Sequence, residues 1–152
     1  MNHRELLKKI QEKFEVIESK EDLGILNAVV RKKDVKEAAG YLKDSLGFGH
    51  LAFLTALDFP ENNIIEVIYN LYSYETKDSA VIRVKLDRAK PETDSISGIF
   101  AGANWHERET AEMFGIVFTG HPSPGRLLLT GDIDAPLRKD FKDDDYEPMP
   151  KF

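Results

Sequence analysis

The sequence predicts an α+β fold: a two-layer domain with an antiparallel sheet and packing helices, plus an extended irregular C-terminal tail. Three observations carry this. Three apolar-rich runs between residues 50 and 87 are separated only by short turn signatures, the pattern of an antiparallel meander. Residues 34–47 hold an amphipathic stripe of helical period with its own start and stop signals. Beyond Gly115 periodicity fades, and Pro122, Pro124, Pro136, Pro148 and Pro150 interrupt any long regular element. The predicted division is an α+β domain over 1–115 and a docking tail over 116–152.

Taken in order, residues 3–13 read as a helix. Leu6, Leu7, Ile10 and Phe14 share one face, and Asn2 with Glu5 three places on supplies an N-terminal cap. Strands follow over 14–18 and 25–30, joined by a turn at Asp22-Leu-Gly24. In the second helix Asp34 caps and Glu37 completes a capping box. Val35, Ala38, Ala39, Leu42 and Leu46 face inward, and Gly47 stands where a helix-ending glycine belongs. Lys36, Glu37, Lys43 and Asp44 make an ordinary solvated face.

The run His50–Phe59 is largely apolar, as expected of a strand buried on both faces. Pro60-Glu-Asn-Asn63 turns the backbone into Ile64–Tyr74, with Ile65, Val67, Tyr69 and Leu71 on one side. Thr76-Lys-Asp-Ser79 turns it again into Ala80–Asp87, where Ala80, Ile82, Val84 and Leu86 point inward. A polar loop over 89–94 and a short helix or single turn over 96–100 lead to the last helix, Trp105–Phe114. Asn104 caps that helix and Gly115 stops it.

A chain of 152 residues is most simply one domain and buries roughly two thirds of its unfolded surface. With 41% hydrophobic and 32% charged residues it is globular. A net charge of −6 argues against nucleic-acid binding, which needs a basic surface. The absence of cysteine excludes disulfides, thiolate nucleophiles and Cys-ligated clusters within this sequence. No apolar run approaches the ~18 residues of a membrane span, and Met-Asn-His-Arg-Glu does not open a signal peptide. The expected location is cytosolic, with room to sit on a membrane complex.

Chemically capable residues concentrate in Trp105–Pro122. Glu109 and Glu112 share a helix face and could do acid–base work or hold a divalent metal, the basis of a stand-alone enzyme reading. The plainer reading is an interface helix on which Arg108 pairs with Glu112. His106 and Glu109 are two ligands where zinc wants three or four. Gly115, Gly120, Gly125 and Gly131 read as turn residues rather than a phosphate loop, and no serine lies in a G-x-S-x-G setting. Arg126, Arg138 and Lys139 form a small basic set near Asp143-Asp-Asp145, better read as ion pairing than as an anion site. The tail holds Leu127, Leu128, Leu129, Ile133, Leu137, Phe141, Tyr146, Met149 and Phe152. These are too few for a core and too many for a free tail, so the tail is predicted to lie along a partner.

The stretch Glu107-Arg-Glu-x-x-x-Met-Phe-Gly-Ile-x-Phe-x-Gly-His-Pro122, with Pro136-Leu-Arg-Lys-Asp-Phe141, resembles a known family. It is similar to the 30-kDa subunit of NADH:quinone oxidoreductase (respiratory complex I) and to its counterparts in group 4 membrane-bound [NiFe] hydrogenases. The motif covers roughly the last third of the chain, and the upstream order of elements is compatible with the family throughout. Two departures stand out. Ala111 and Glu112 replace an aromatic and an Asp before Met-Phe-Gly, and Ser123-Pro-Gly-Arg126 replaces an Asp/Asn-Leu-Arg-Arg stretch. These changes and the short length lean towards the hydrogenase-like branch.

The resemblance implies a non-redox structural subunit in the peripheral arm of an ion-translocating oxidoreductase, on the cytoplasmic face of the cell membrane. It implies no cofactor in this chain. Iron–sulfur clusters and, in hydrogenase-type members, a NiFe centre would belong to partner subunits. The implied partners are the large catalytic subunit (49-kDa or hydrogenase large-subunit type), iron–sulfur subunits and antiporter-like membrane subunits. On the same ground Glu107, Arg108, Glu109, Met113, Phe114, Gly115, Phe118, Gly120, His121, Pro122, Pro136, Leu137, Arg138, Lys139, Asp140 and Phe141 would serve architecture and contacts between subunits.

Overall fold

In the structure, a computed structural model that describes residues 2–143, the alternating runs become strands whose inward residues meet on one face of a sheet. The strands are β1 (Val16–Asp22), β2 (Ile25–Val30), β3 (His50–Phe59), β4 (Ile64–Tyr72) and β5 (Ser79–Asp87). Their order is β1-β2-β5-β4-β3. Register pairs Ile65, Val67, Tyr69 and Leu71 with Leu86, Val84, Ile82 and Ala80, and none of the eight exceeds 2% exposure. Three helices pack against this face: α1 (His3–Gln11), α2 (Val35–Leu46) and α3 (Ala103–Phe114). α1 contributes Leu6 and Ile10, α2 contributes Val35, Ala38, Ala39 and Leu42, and α3 lies against β3. The α+β two-layer prediction holds.

The sheet is mixed. β3, β4 and β5 are the predicted antiparallel meander, and β1–β2 is an antiparallel hairpin. β2 and β5, however, run parallel, with Leu26 beside Ala80. Between them the backbone passes through α2, β3 and β4, more than the roughly dozen-residue crossover that a parallel neighbour needs.

Burial corrects the reading of β3. Leu51, Leu54, Ala56 and Asp58 are buried, while Phe53 and Leu57 are 41% and 43% exposed. β3 is an edge strand with one open face; the strand shielded on both sides is its neighbour β4. β1 extends to Asp22, four residues past the predicted end at Glu18. Asn2 caps α1 as predicted, its side-chain oxygen accepting the Arg4 N–H at 3.1 Å. Asp34 makes no such bond: it ends a 3₁₀ turn over Lys32–Asp34 that runs straight into α2. Residues 96–100 form a turn, with the Phe100 N–H donating to the Ile96 carbonyl at 2.9 Å. α3 begins at Ala103, so Asn104 lies inside its first turn instead of capping it.

The polypeptide also stays in the domain past Gly115. β7 (Val117–Thr119) pairs in parallel with β6 (Glu92–Asp94), and Ile116 and Phe118 join the core. Asp144, Asp145, Tyr146, Pro148, Met149, Pro150 and Phe152 of the predicted tail lie outside the described residues. No helix among the described residues is long and apolar enough to cross a membrane.

Gly47 ends α2 at φ +77, and a Cβ there would meet nothing closer than the Ser73 hydroxyl at 3.8 Å. The cost of a side chain is therefore conformational rather than steric. Gly47→Ala should lower stability by about 1 kcal/mol in urea unfolding with an unchanged slope.

Candidate functional site

The inward face of α3 is drawn by Ala103, Glu107, Thr110 and Phe114, spaced at helical period. Glu107 is the anomaly, a carboxylate with 0% exposure where an aliphatic residue would be expected. Its Oε2 accepts the Ser95 hydroxyl at 2.6 Å and its Oε1 accepts the Ile96 N–H at 2.7 Å. Ser95 in turn lies 2.8 Å from the Ser97 hydroxyl. His121 closes the group, with Nε2 3.8 Å from Glu107 Oε2 and a side chain only 2% exposed. Its Nδ1 accepts the Ser123 N–H at 3.0 Å, so Nε2 carries the proton and donates it to the Asn104 carbonyl, also at 3.0 Å. Burial pushes the Glu107 carboxyl above the ordinary glutamate range, against the opposing pull of the Ser95 and Ile96 hydrogen bonds.

With Glu107 turned inward, Arg108 and Glu112, one turn apart, face outward together. They do not pair with each other, as the plainer sequence reading expected. Both hold the backbone of the segment that follows β7. Arg108 donates to the carbonyls of Gly125 (3.2 Å) and Arg126 (2.8 Å), its guanidinium 5.6 Å from the Trp105 ring centre. The Glu112 carboxylate accepts three successive N–H groups, those of Leu127, Leu128 and Leu129. Burial works against the charge, yet these three donors hold the Glu112 carboxyl below its ordinary range.

The same segment satisfies the open carbonyls at the end of α3. The N–H groups of Ala135 and Leu137 donate to Glu112 and Met113 at 3.2 and 3.0 Å, and Arg138 Nε donates to Phe114 at 2.7 Å. Gly115, at φ +71, makes room: a Cβ would stand 3.3 Å from the Arg138 guanidinium. Farther on, Arg88 binds Asp58 through two bonds of 2.7 and 3.0 Å and reaches Asp140 at 2.7 Å. Asp58 also accepts the Lys139 N–H at 2.9 Å. The Arg88 guanidinium holds both carboxyls below their usual range.

Residues 123–141 are thus a strap laid over α3 of their own chain. The sequence led to docking on a partner; through residue 141 the backbone docks in cis. Arg126, expected to ion-pair, does so with Asp134, and two apolar side chains turn the other way while Leu127, Leu129, Ile133 and Phe141 are half-buried. Leu128 is 64% and Leu137 56% exposed, alongside Trp105 at 64% and Val117 at 60%. Between the strap and β7 runs a groove of about 430 Å³ floored by Ala111, Gly115 and Ile116.

The remaining signature residues divide cleanly. Phe114 and Phe118 are core, Met113 packs partly against it, and Gly120 makes a turn at φ +80. Pro122 is exposed, Pro136 and Phe141 half-buried, and Lys139 places its ammonium 5.8 Å from the Phe59 ring centre. Glu109 is exposed, while the Glu112 oxygens are committed to the strap, which separates the pair that the enzyme reading needed. Among the described residues no group of three or more His, Asp or Glu side chains gathers in metal-binding range. Sequence reasoning missed Ser95, Ile96, Asp58 and Arg88, which lie from 11 to 81 positions away from the groups they hold, with no spacing to mark them.

The sequence matches the family described as Respiratory-chain NADH dehydrogenase, 30 Kd subunit, over residues 28–147. It is 38% identical to the C subunit of F(420)H(2) dehydrogenase from Methanosarcina mazei, over 77% of this chain and 75% of that one. It is 35% identical to the C subunit of NADH-quinone oxidoreductase from Geotalea uraniireducens, over 92% of this chain and 87% of that one. Among solved structures, one polypeptide of the archaeal membrane-bound sulfane sulfur reductase superposes with a TM-score of 0.80 at 26% identity, covering 93% and 86% of the two. The trypsin-resistant fragment (1–134) of Nqo5 superposes at 0.70 with 27% identity, covering 81% and 99%.

Two outcomes follow from the opposite signs of the carboxyl shifts. Glu107, raised, favours folding most below the ordinary glutamate range and loses that contribution as pH rises through its folded value. Glu107→Gln should therefore flatten the pH dependence and stay within about 1 kcal/mol of wild type at pH 7, while Glu107→Ala strands the Ile96 N–H and costs about 3 kcal/mol in chemical unfolding. Glu112 and Asp58, lowered, stabilise above the ordinary range and lose that contribution as pH falls. Acidification below about pH 4 should release the strap before the sheet melts, read as a shift in emission from Trp105, the one tryptophan, at unchanged far-UV circular dichroism. Simultaneous loss of both signals would contradict it.

Proposed function

The chain belongs to the respiratory-chain NADH dehydrogenase 30 Kd subunit family, and on that premise we propose that it is a non-redox structural subunit in the peripheral arm of a membrane-bound, ion-translocating oxidoreductase. The assembly is of the complex I or group 4 hydrogenase type, and this polypeptide clamps its large catalytic subunit on the cytoplasmic face of the membrane. Iron–sulfur clusters and any NiFe centre reside in neighbouring subunits. Support comes from relatives named as C subunits of dehydrogenases and from a structural match within a membrane-bound respiratory complex.

The observation that carries the clamping role is the orientation of the strap. Its backbone is anchored inward by Arg108, Glu112 and Arg138, and Leu128 and Leu137 point out while Leu127 and Leu129 are half-buried. A segment that folded only for its own stability would bury Leu128 and Leu137; here their area is left for another protein. With both side chains exposed, the double change Leu128→Asp, Leu137→Asp should leave the Tm of the isolated protein within ~3 °C of wild type. The same double change should remove the large subunit from material purified through a tag on this chain. Assembly at wild-type level would refute the clamp. The purified protein alone should turn over no redox substrate, and sustained turnover by a partner-free preparation would refute the structural role itself.

A further inference from the structure

The β1–β2 hairpin is the part of the molecule least used by its own core, with every residue from Ile17 to Asp22 exposed. Its two irregular positions each direct an apolar side chain into solvent. Ile17 is the extra residue of a bulge between Val16 and Glu18 and is 53% exposed. Leu23 makes the turn with Gly24, both at positive φ (+50 and +74), and is 96% exposed. Two-residue turns of this kind favour Asn or Asp before Gly, because a left-handed backbone is costly for most side chains. Leu23 bears that strain and gains no burial within the described fold. On both counts it works against the isolated protein.

We infer that Leu23 is an anchor that the hairpin inserts into an apolar pocket of a neighbouring subunit, a pocket rimmed by lysine or arginine. The inference rests on the subunit reading above but concerns a surface separate from the strap. Charge selects the partner. Glu21 and Asp22 immediately precede the tip, and from Val16 to Gly24 Lys20 is the one cation beside three carboxylates. Lys85 pairs with Glu18 at 2.6 Å and Lys20 with Asp22 at 3.4 Å, and His3 Nδ1 lies 3.4 Å from Glu21. With Glu18 and Asp22 matched by lysines, the carboxylate left at the tip is Glu21, which would be repelled by an anionic bilayer and drawn to a basic protein rim. A single strained leucine is a fitting size for a protein pocket, where one buried anchor carries much of the binding.

The test uses the full-length protein, tagged and expressed in cells that make the complex. Leu23→Asn puts a favoured residue at the turn, so the isolated protein should keep its Tm or gain about 2 °C. Recovery of the large and iron–sulfur subunits through the tag should nonetheless fall about tenfold. Leu23→Met, equally strained and still apolar, should assemble as wild type does. Glu21→Lys with Asp22→Lys should weaken assembly without raising binding to phosphatidylglycerol vesicles. Leu23→Asn that assembles normally overturns the anchor and leaves the strap reading standing. Vesicle binding by the wild-type protein that Leu23→Asn abolishes would make the occupant a membrane and overturn the inference. If wild type itself purifies alone, both readings fall.

Discussion

A carboxylate with no exposed surface sets the position of α3, and most of the site follows from it. Glu107 can be buried only where donors meet it, because an unsatisfied carboxyl in the core would cost far more than an aliphatic residue contributes there. Ser95 and Ile96 supply those donors at the turn after β6. A leucine at 107 would bury as well but would tolerate a range of helix rotations. The paired hydrogen bonds specify one. Once that rotation is set, helical period places Arg108 and Glu112 outward, and no freedom remains about where the strap must lie.

The strap solves a problem that its composition creates. A proline- and glycine-rich segment cannot satisfy its backbone groups in regular structure or bury enough apolar surface to fold alone. The end of α3 has the complementary shortage, carbonyls without partners. The two shortages cancel: Glu112 and Arg108 satisfy the strap, and Ala135, Leu137 and Arg138 satisfy the helix end. Polar anchoring leaves Leu128 and Leu137 outward. Of the signature residues, Glu107, Phe114 and Phe118 are buried, while Glu109, Pro122, Leu137, Lys139 and Asp140 are exposed. Neither the strap nor the hairpin tip at Leu23 is needed to close the core, which leaves both available to other proteins in an assembly.

Much of the fold was legible because its signals are local. The stripe of α2, the alternation of β5 and the stop at Gly47 each depend on neighbours within one or two turns, and each stands where the sequence placed it. The family was legible for a different reason: a long motif at fixed spacing leaves little room for chance. What failed was non-local. The apolar run of β3 read as doubly buried, since composition cannot tell an edge strand from its neighbour. Asp34 looked like a cap, but the backbone arrives through a 3₁₀ turn that removes the geometry a cap requires. Arg108 and Glu112 looked like a pair on helical spacing alone, and backbone groups some 15 to 18 residues away outcompeted that pairing.

The sequence by itself determined the two-layer α+β class, the helical and strand periods, the family, and the fact that the last quarter is too polar and proline-rich to make its own core. Those properties reside in residue order and composition, which hydrophobic period reads directly. Only the tertiary structure decided that β2 and β5 run parallel, that Glu107 is buried against Ser95 and Ile96, and that the strap closes on its own helix with Leu128 and Leu137 outward. Each of these depends on groups brought together across long stretches of sequence. Hydrogen bonds and burial then choose among arrangements that local preference leaves equal in energy.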